Sequence, residues 1–286
     1  MSPARYLELT RVALWSLVII VYTGAAVRLT GSGLGCHDWP NCNEEELVPA
    51  ASYHGWIEFG NRMFTGVVAL AVVAAVLGSH RRSPHRTDLV RLSWGLVAGV
   101  IAQILLGALL VRTDLDPRFT MGHFLLSMVL LWNAAVLHHR AGLDDAPTRQ
   151  RAGSAIRRLT QVVFWAGGVV LVLGTVVTGS GPHSGSEDES VANRLPFDLR
   201  EVTRIHSISA LVLIAAVGGV LWVAHTRGML QVRRAAQTVV SLLGAQIALG
   251  YWQYSAGVPE ALVFVHIIVA TIAWISIVRL DLEAAR

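Results

Sequence analysis

The sequence predicts an all-α membrane protein with eight transmembrane helices, arranged as two four-helix bundles related by a pseudo-twofold axis. Three observations lead to this prediction: the apolar composition, eight apolar runs of helical length, and an internal repeat. Of the 286 residues, 53% are hydrophobic and only 15% are charged. This composition is too apolar for a soluble domain of the same size.

Each apolar run is about 20 residues long, the length that an α-helix needs to cross ~30 Å of hydrocarbon. The runs are continuously apolar and do not alternate, which favours helices over a β-barrel. The first run has no clear small-residue cleavage site, so a cleaved signal peptide is not expected. The runs are centred on residues 12–30, 54–78, 92–112, 118–138, 159–180, 202–224, 236–256 and 259–279.

The distribution of arginine predicts the orientation in the membrane. The chain has no lysine, and 16 of its 23 basic residues lie in the two termini and in the connections near 79–91, 140–158 and 225–235. Acidic triplets at 44–46 and 187–189 lie in connections on the other side. The positive-inside rule then predicts that both termini lie in the cytoplasm. The membrane is expected to be the cell (plasma) membrane. The basic charge therefore reflects topology, and no nucleic-acid partner is expected.

An internal repeat divides the chain into two halves. Gln103 and Gln246 occupy matching Ala-Gln-Ile segments, 143 positions apart, and His123 and His266 share the same offset. The segment Thr-Gly-Ser-Gly at 30–33 recurs at 178–181. Four helices per half make both halves enter the membrane in the same direction, which is a parallel repeat.

Three regions follow from the repeat. Residues 1–141 are predicted to form the N-terminal bundle and residues 159–286 the C-terminal bundle. The segment 142–158 contains Asp144, Asp145 and Pro147 and is predicted to be a solvated cytoplasmic linker.

Four histidines lie at or within the outer ends of the even-numbered helices. They are His54, His123, His206 and His266. A polar side chain at membrane depth is costly and therefore marks a functional candidate. His206 and His266 both lie on the order of 10 Å below the outer surface. Two histidines at matched depth can hold one iron porphyrin from opposite faces, although each could instead make an interhelical hydrogen bond.

The first half differs from the second at this depth. In the first half, Asn61 occupies the position that matches His206, so the expected partner of His123 is not a histidine. An amide is a poor iron ligand compared with imidazole. Glu58 and Arg62 are four residues apart on the same helix and can pair. Such a pair is either structural or a carboxylate suited to proton transfer beside a substrate. His54, one turn before Glu58, is expected to be interfacial, with a ligand or proton-partner role as alternatives.

The two cysteines of the chain, Cys36 and Cys42, lie in a loop rich in Gly and Pro after the first helix. The predicted orientation makes this loop extracytoplasmic, where a disulfide can persist. A plain structural staple and a redox-active pair both remain open.

At these residues the chain resembles the haem A synthase family over essentially its whole length. The resemblance rests on the loop Thr-Gly-Ser-Gly-Leu-Gly-Cys-x-Asp-Trp-Pro-x-Cys at 30–42, on Glu58 with Arg62, and on one histidine in each of helices 4, 6 and 8. It implies an oxidoreductase acting on a methyl group. Such an enzyme oxidises the C8 methyl of haem O to a formyl group by successive hydroxylations with water-derived oxygen. The product is haem A, which serves cytochrome oxidase.

The resemblance also implies a role for each matching residue. Glu58 would be catalytic, and Cys36 and Cys42 would form a disulfide. The axial ligands would be His206 and His266 for a haem b cofactor, and His123 for the substrate haem. Many family members carry a histidine where this chain has Asn61. Three arginines near the outer edge are candidates for contacts with haem propionates or, equally, with lipid headgroups: Arg28, Arg62 and Arg204.

The partners implied are haem O synthase as the donor of substrate, an unidentified electron acceptor, and a second copy of the chain as a candidate. Two other classes compete with the synthase. A quinol-linked haem b electron carrier would need two bis-histidine sites, which Asn61 opposes. A transporter would need broken helices and polar sites at the midplane, whereas the polar residues here cluster near the outer surface.

Overall fold

The computed structural model describes residues 1–36, 38–43, 47–49, 52–143, 154–188 and 192–285. Regular secondary structure in these ranges is entirely α-helical, which confirms the predicted all-α class. The eight helices are α1 (Pro3–Leu29), α2 (Tyr53–Arg81), α3 (Thr87–Arg112), α4 (Pro117–Ala141), α5 (Ser154–Ser180), α6 (Leu199–Thr226), α7 (Leu230–Ser255) and α8 (Glu260–Ala284).

Two helices begin at serine residues whose side chains cap them. α1 begins at Pro3, well before the run that starts at residue 12, and the Ser2 side chain accepts the N–H of Arg5 at 3.4 Å. Proline is suited to the first helical turn, where its missing N–H would have no partner. The Ser52 hydroxyl caps α2 in the same way by accepting the N–H of Gly55 at 3.0 Å.

Seven helices among the described residues are long and apolar enough to cross a membrane: α1 to α6 and α8. The chain is therefore a multi-pass membrane protein. α7 is 26 residues long, or roughly 39 Å at 1.5 Å per residue, but it is less apolar than the others. It carries Arg233 and Arg234 in its first turns and Gln246 and Gln253 further along. That α7 is an eighth span stays a prediction.

Large apolar side chains cover the outside of the helices. Leu70, Trp165 and Trp222 are 73%, 71% and 70% exposed. A soluble monomer rarely exposes so many side chains of this kind, whereas lipid tails accommodate them without cost. The outward-facing surface thus supports the membrane assignment independently of composition.

The first compact unit consists of Met1–Ala141 together with Thr175–Leu199. Within it, α1 contacts α2 and α4, and α3 contacts the same two helices, so the four helices close into a bundle. Its core includes Val72, Leu96 and Leu131, all at most 1% exposed. The Tyr6 and Ser93 hydroxyls bond to each other at 3.0 Å and tie α1 to α3.

The second compact unit consists of Gly142–Gly174 together with Arg200–Arg286. α7 and α8 pack along each other. α5 packs on α8 through Phe164 and Trp274, whose ring centroids are 5.1 Å apart, and through the Thr160 hydroxyl, which donates to Asp281 at 2.9 Å. The predicted linker 142–158 falls largely on residues 144–153, which lie outside the described part of the chain.

One turn is built twice, and it carries the repeat into the backbone. Asp114 and Leu115, between α3 and α4, have φ angles of 49° and 58°. Gly257 and Val258, between α7 and α8 and 143 positions later, have φ angles of 79° and 60°. Positive φ is strained for a residue other than glycine, yet leucine and valine both adopt it here. This shared strained turn sets the start of α4 and of α8, the helices that carry His123 and His266.

Candidate functional site

The loop after α1 presses against the start of α2. A Cβ at Gly35 would overlap the backbone carbonyl of His54 and lie 2.7 Å from the Gly55 nitrogen, so only glycine fits. The next residue, Cys36, forms a disulfide with Cys42, and both cysteines are buried. This confirms the disulfide that the family resemblance implies. Whether the bond is structural or redox-active stays a prediction.

Glu58 and Arg62 form the predicted ion pair on α2. The Arg62 Nη2 lies 2.5 Å and its Nε 3.1 Å from Glu58 Oε1. The other carboxylate oxygen of Glu58 accepts the backbone N–H of Cys36 at 2.8 Å. Glu58 is only 5% exposed, so its charge is compensated inside the protein and not by water. The structure therefore connects the carboxylate to the disulfide loop, which the sequence alone did not predict.

His123 lies on α4 and packs against α3. Its Cε1 would be 3.7 Å from a Cβ placed on Gly107, and its backbone carbonyl accepts a hydrogen bond from Gln103 Nε2 at 3.0 Å. The same amide donates to the Ser127 hydroxyl at 2.7 Å. The Nδ1 of His123 is buried and has no hydrogen-bond partner among the described residues.

The start of α4, two turns before His123, is fixed by a charged cap. The Asp116 carboxylate accepts the backbone N–H of Arg118 at 2.9 Å and two hydrogen bonds from its guanidinium at 2.8 and 3.1 Å. The Arg118 guanidinium beside it holds the pKa of this carboxyl below its usual range. Asp116 thus remains an anion at the N-terminus of α4, where the helix dipole favours negative charge.

His266 repeats the surroundings of His123. Its Cε1 would be 3.5 Å from a Cβ on Gly250, and its carbonyl accepts from Gln246 Nε2 at 2.9 Å. Its Nδ1 is likewise buried without a hydrogen-bond partner in the described ranges. Glycine, glutamine and histidine each recur 143 positions later, so both histidines are presented by the same packing.

His206 is held by a third glycine. A Cβ on Gly174 of α5 would lie 3.1 Å from the Cε1 of His206. The Nδ1 of His206 is buried and has no hydrogen-bond partner among the described residues. His206 on α6 and His266 on α8 belong to the same compact unit. That they hold one haem between them stays a prediction.

Asn61 and His54 make local contacts of their own. The Thr23 hydroxyl donates to Asn61 Oδ1 at 2.8 Å, which fixes the amide against α1. His54 Nδ1 bonds to the Ser32 hydroxyl at 2.9 Å, and its Nε2 lies 4.0 Å from Glu187. His54 is therefore engaged at the outer loops, and its interfacial role stays a prediction.

The three candidate arginines have different surroundings. Arg28 donates from Nε to the His183 carbonyl at 2.8 Å and from Nη2 to the Thr178 carbonyl at 3.2 Å. Arg204 is 71% exposed and lies 3.8 Å from Glu201. Arg62 is occupied by Glu58 and by loop carbonyls. Arg204 is thus the most accessible of the three, and contacts with propionates stay a prediction for all of them.

Gln103 and Gln246 were recognised in the sequence only as markers of the repeat. Their side chains lie beside the histidines, and the Oε1 of each is buried with no hydrogen-bond partner in the described ranges. A glutamine at membrane depth is a polar residue that hydrocarbon disfavours, and this signal could have found both residues. Gly107, Gly174 and Gly250 gave no such signal, because glycine is common in membrane helices.

A multi-pass helical membrane protein with histidines packed on glycines inside its bundles is the class that the fold and the site define. A family model described as cytochrome oxidase assembly protein (COX15-CtaA) matches residues 8–54 and 50–278. The chain belongs to this family.

Curated relatives agree with the family match. A protein named Heme A synthase from Geobacillus kaustophilus is 36% identical over 107 residues, which cover 37% of this chain and 33% of that protein. Heme A synthase from Lysinibacillus sphaericus is 32% identical over 139 residues, 48% of this chain and 45% of that protein. Protoheme IX farnesyltransferase from Thermus thermophilus is 28% identical over 290 residues, 96% of this chain and 47% of that protein. The chain thus spans a third to a half of the length of these relatives.

Proposed function

We propose that the chain is a haem A synthase, which oxidises the C8 methyl of haem O to a formyl group with oxygen from water. The observation that carries this proposal is the difference between two otherwise matched halves. One half carries His206 and His266, each packed on a glycine, whereas the other carries His123, Asn61 and a buried carboxylate, Glu58. A permanent electron carrier would need the same ligand pair twice, so one site is better suited to a substrate.

The residues around His206 and His266 fit a haem b cofactor. Both rings pack on glycines, and both keep a buried Nδ1 without a partner among the described residues. No third His, Cys, Asp or Glu joins them in the described ranges, so further ligands would have to come from the group itself, as they do in a porphyrin. A haem b held by His206 and His266 would supply electron transfer and not oxygen activation.

The surroundings of His123 fit a substrate haem held by a single histidine. Asn61, the counterpart of His206 in the repeat, is tied to Thr23 and would be a weak iron donor, so His123 would be the only histidine ligand of this substrate. A site that holds its porphyrin less firmly is compatible with release of a product. This asymmetry supports the proposal that haem O and haem A bind in the N-terminal half.

Glu58 is proposed as the catalytic residue. Oxidation of a methyl to a formyl group with the oxygen of water releases electrons and protons in equal number, and positive charge develops at the methyl carbon. A carboxylate held by Arg62 and by the Cys36 N–H is fixed in place and can stabilise that charge. It can also accept a proton from the attacking water. The electrons leave to an acceptor outside the chain.

The orientation and the partners belong to the same proposal. Both termini face the cytoplasm of a cell in whose plasma membrane the protein lies, because arginine concentrates on that side. The disulfide then lies on the oxidising side. Haem O synthase is proposed as the donor. In support, a relative named protoheme IX farnesyltransferase matches nearly all of this chain with only 47% of its own length, which leaves room for a second enzyme.

The test is to express the chain in membranes that contain haem O and to identify the extracted haems by chromatography and mass. The proposal predicts formyl haem or its alcohol precursor, together with haem b. A matched culture that expresses His266→Ala should contain neither product. Haem b alone, with haem O unchanged, would contradict the synthase and favour the electron carrier.

A further inference from the structure

Arg62 directs its guanidinium to protein atoms in this structure. Its Nε donates to Glu58 Oε1, its Nη1 to the carbonyls of Asp38 and Asn41 at 2.9 and 3.0 Å, and its Nη2 to Glu58 Oε1 and the Cys36 carbonyl at 2.5 and 3.4 Å. A guanidinium carries five N–H donors, and all of them are directed to protein atoms. Its side chain is 19% exposed, so water competes little for these bonds.

The three carbonyls that Arg62 binds all belong to the ring that the disulfide closes, Cys36–Cys42. The same ring gives the Cys36 N–H to Glu58 Oε2. The ring therefore touches the carboxylate twice, directly through Cys36 and indirectly through Arg62. Neither contact requires the sulfur atoms themselves, but both require the backbone path that the disulfide fixes.

We propose that Arg62 is a positioning residue that joins the disulfide ring to Glu58, so that ring, guanidinium and carboxylate act as one unit. The inference rests on the proposed function only where it concerns catalysis by Glu58. Opening the disulfide would release the carbonyls from Arg62 and the Cys36 N–H from Glu58, and the carboxylate would lose its fixed direction. The cysteine pair thereby influences the reaction through the position of Glu58.

Lysine cannot replace arginine in this role. It offers three donors from one point, whereas the guanidinium presents a planar fork that reaches Glu58 and three separate carbonyls together. Arg62→Lys keeps the charge and tests the fork alone. Arg118→Lys is the matched control, because Arg118 is an outer-end arginine that is 79% exposed and pairs with Asp116.

The first readout does not depend on activity. The rate at which dithiothreitol reduces the disulfide is followed by maleimide labelling of the released thiols in membranes. Dithiothreitol reaches the buried sulfur atoms only when the loop detaches from α2. Arg62→Lys loses hydrogen bonds that hold the loop, so detachment and reduction should be about tenfold faster or more. Arg118→Lys should react at the wild-type rate. Reduction of Arg62→Lys at the wild-type rate would overturn the inference.

The second readout is the conversion of haem O. Arg62→Lys, the double variant Cys36→Ser with Cys42→Ser, and the triple variant should each keep the bis-histidine haem spectrum. Each should form product at about one-tenth of the wild-type rate or less. The triple variant combines Arg62→Lys with both cysteine changes. Because the residues act as a unit, it should be no more than about threefold slower than the slower of the other two variants. A rate loss equal to the product of the two separate losses would show that the ring and Arg62 act independently. The two readouts can also disagree. If the disulfide of Arg62→Lys is reduced faster but the wild-type protein converts no haem O, the ring contact is supported and the proposed function is overturned.

Discussion

The glycine beside His206 offers the most quantitative prediction. In Gly174→Ala the new Cβ would lie 3.1 Å from the Cε1 of His206, whereas ordinary contacts of this kind begin at 3.4 Å. The ring must therefore withdraw by about 0.3 Å, or the helices must part by that amount. A distorted ligand rotamer costs on the order of 0.5–1.5 kcal/mol, so we expect affinity for haem b to fall about two- to tenfold.

The control lies two turns earlier on the same helix. A Cβ on Gly168 would meet nothing within 4 Å, so Gly168→Ala adds only helix propensity, worth roughly 0.5–1 kcal/mol. Gly250→Ala, at 3.5 Å from His266, should fall between the two. Haem retained per polypeptide is measured during titration with a haem-accepting apoprotein, and thermal stability is measured in parallel. Gly174→Ala should lose haem faster, with no more loss of thermal stability than the weaker haem binding itself accounts for. Equal haem retention in Gly174→Ala and Gly168→Ala would refute the packing argument.

Three further predictions concern the site. His266→Ala should abolish the low-spin haem spectrum, because one axial ligand is lost, and an unchanged spectrum would remove the ligand assignment. Glu58→Gln should keep that spectrum but slow product formation about tenfold or more, since a neutral amide cannot stabilise a developing positive charge; normal turnover in the same assay would make Glu58 structural. Gly35→Ala should prevent normal docking of the loop on α2, whereas Gly60→Ala, with open space around it, should not. Limited proteolysis and disulfide reduction rates would distinguish the two, and equal behaviour would disprove the tight contact.

The helices could be predicted because hydrophobic length is a local property. Each apolar run gave a helix, but α1 starts at Pro3, before the run that begins at residue 12, with Ser2 as its N-cap in polar sequence. α7 shows the converse, since its arginines and glutamines make it the least apolar helix although its length is sufficient. Boundaries and marginal spans thus depend on polar residues that a hydropathy pattern weighs poorly.

The candidate site could be proposed from the sequence as a set of residues, but their contacts could not be predicted. The repeat was enough to identify His123 and His266 as equivalent positions in the two halves, because equal offsets imply equal depth. It could not reveal that Gly107 and Gly250 receive the rings, since that depends on how neighbouring helices are rotated. The contacts of Arg62 with the carbonyls of Asp38 and Asn41 depend on the backbone path of a loop. Sequence spacing carries no information about which way such carbonyls point.

The oxidation of the haem O methyl is the central claim, and its most direct measurement is a time course with the purified, haem b-loaded protein, haem O and an added electron acceptor. Mass analysis of the extracted porphyrin should show the alcohol first and the formyl haem later, with the acceptor reduced in step and Glu58→Gln lagging behind. Haem O that keeps its mass in a wild-type preparation with an intact bis-histidine spectrum, across acceptors of differing potential, would contradict the account.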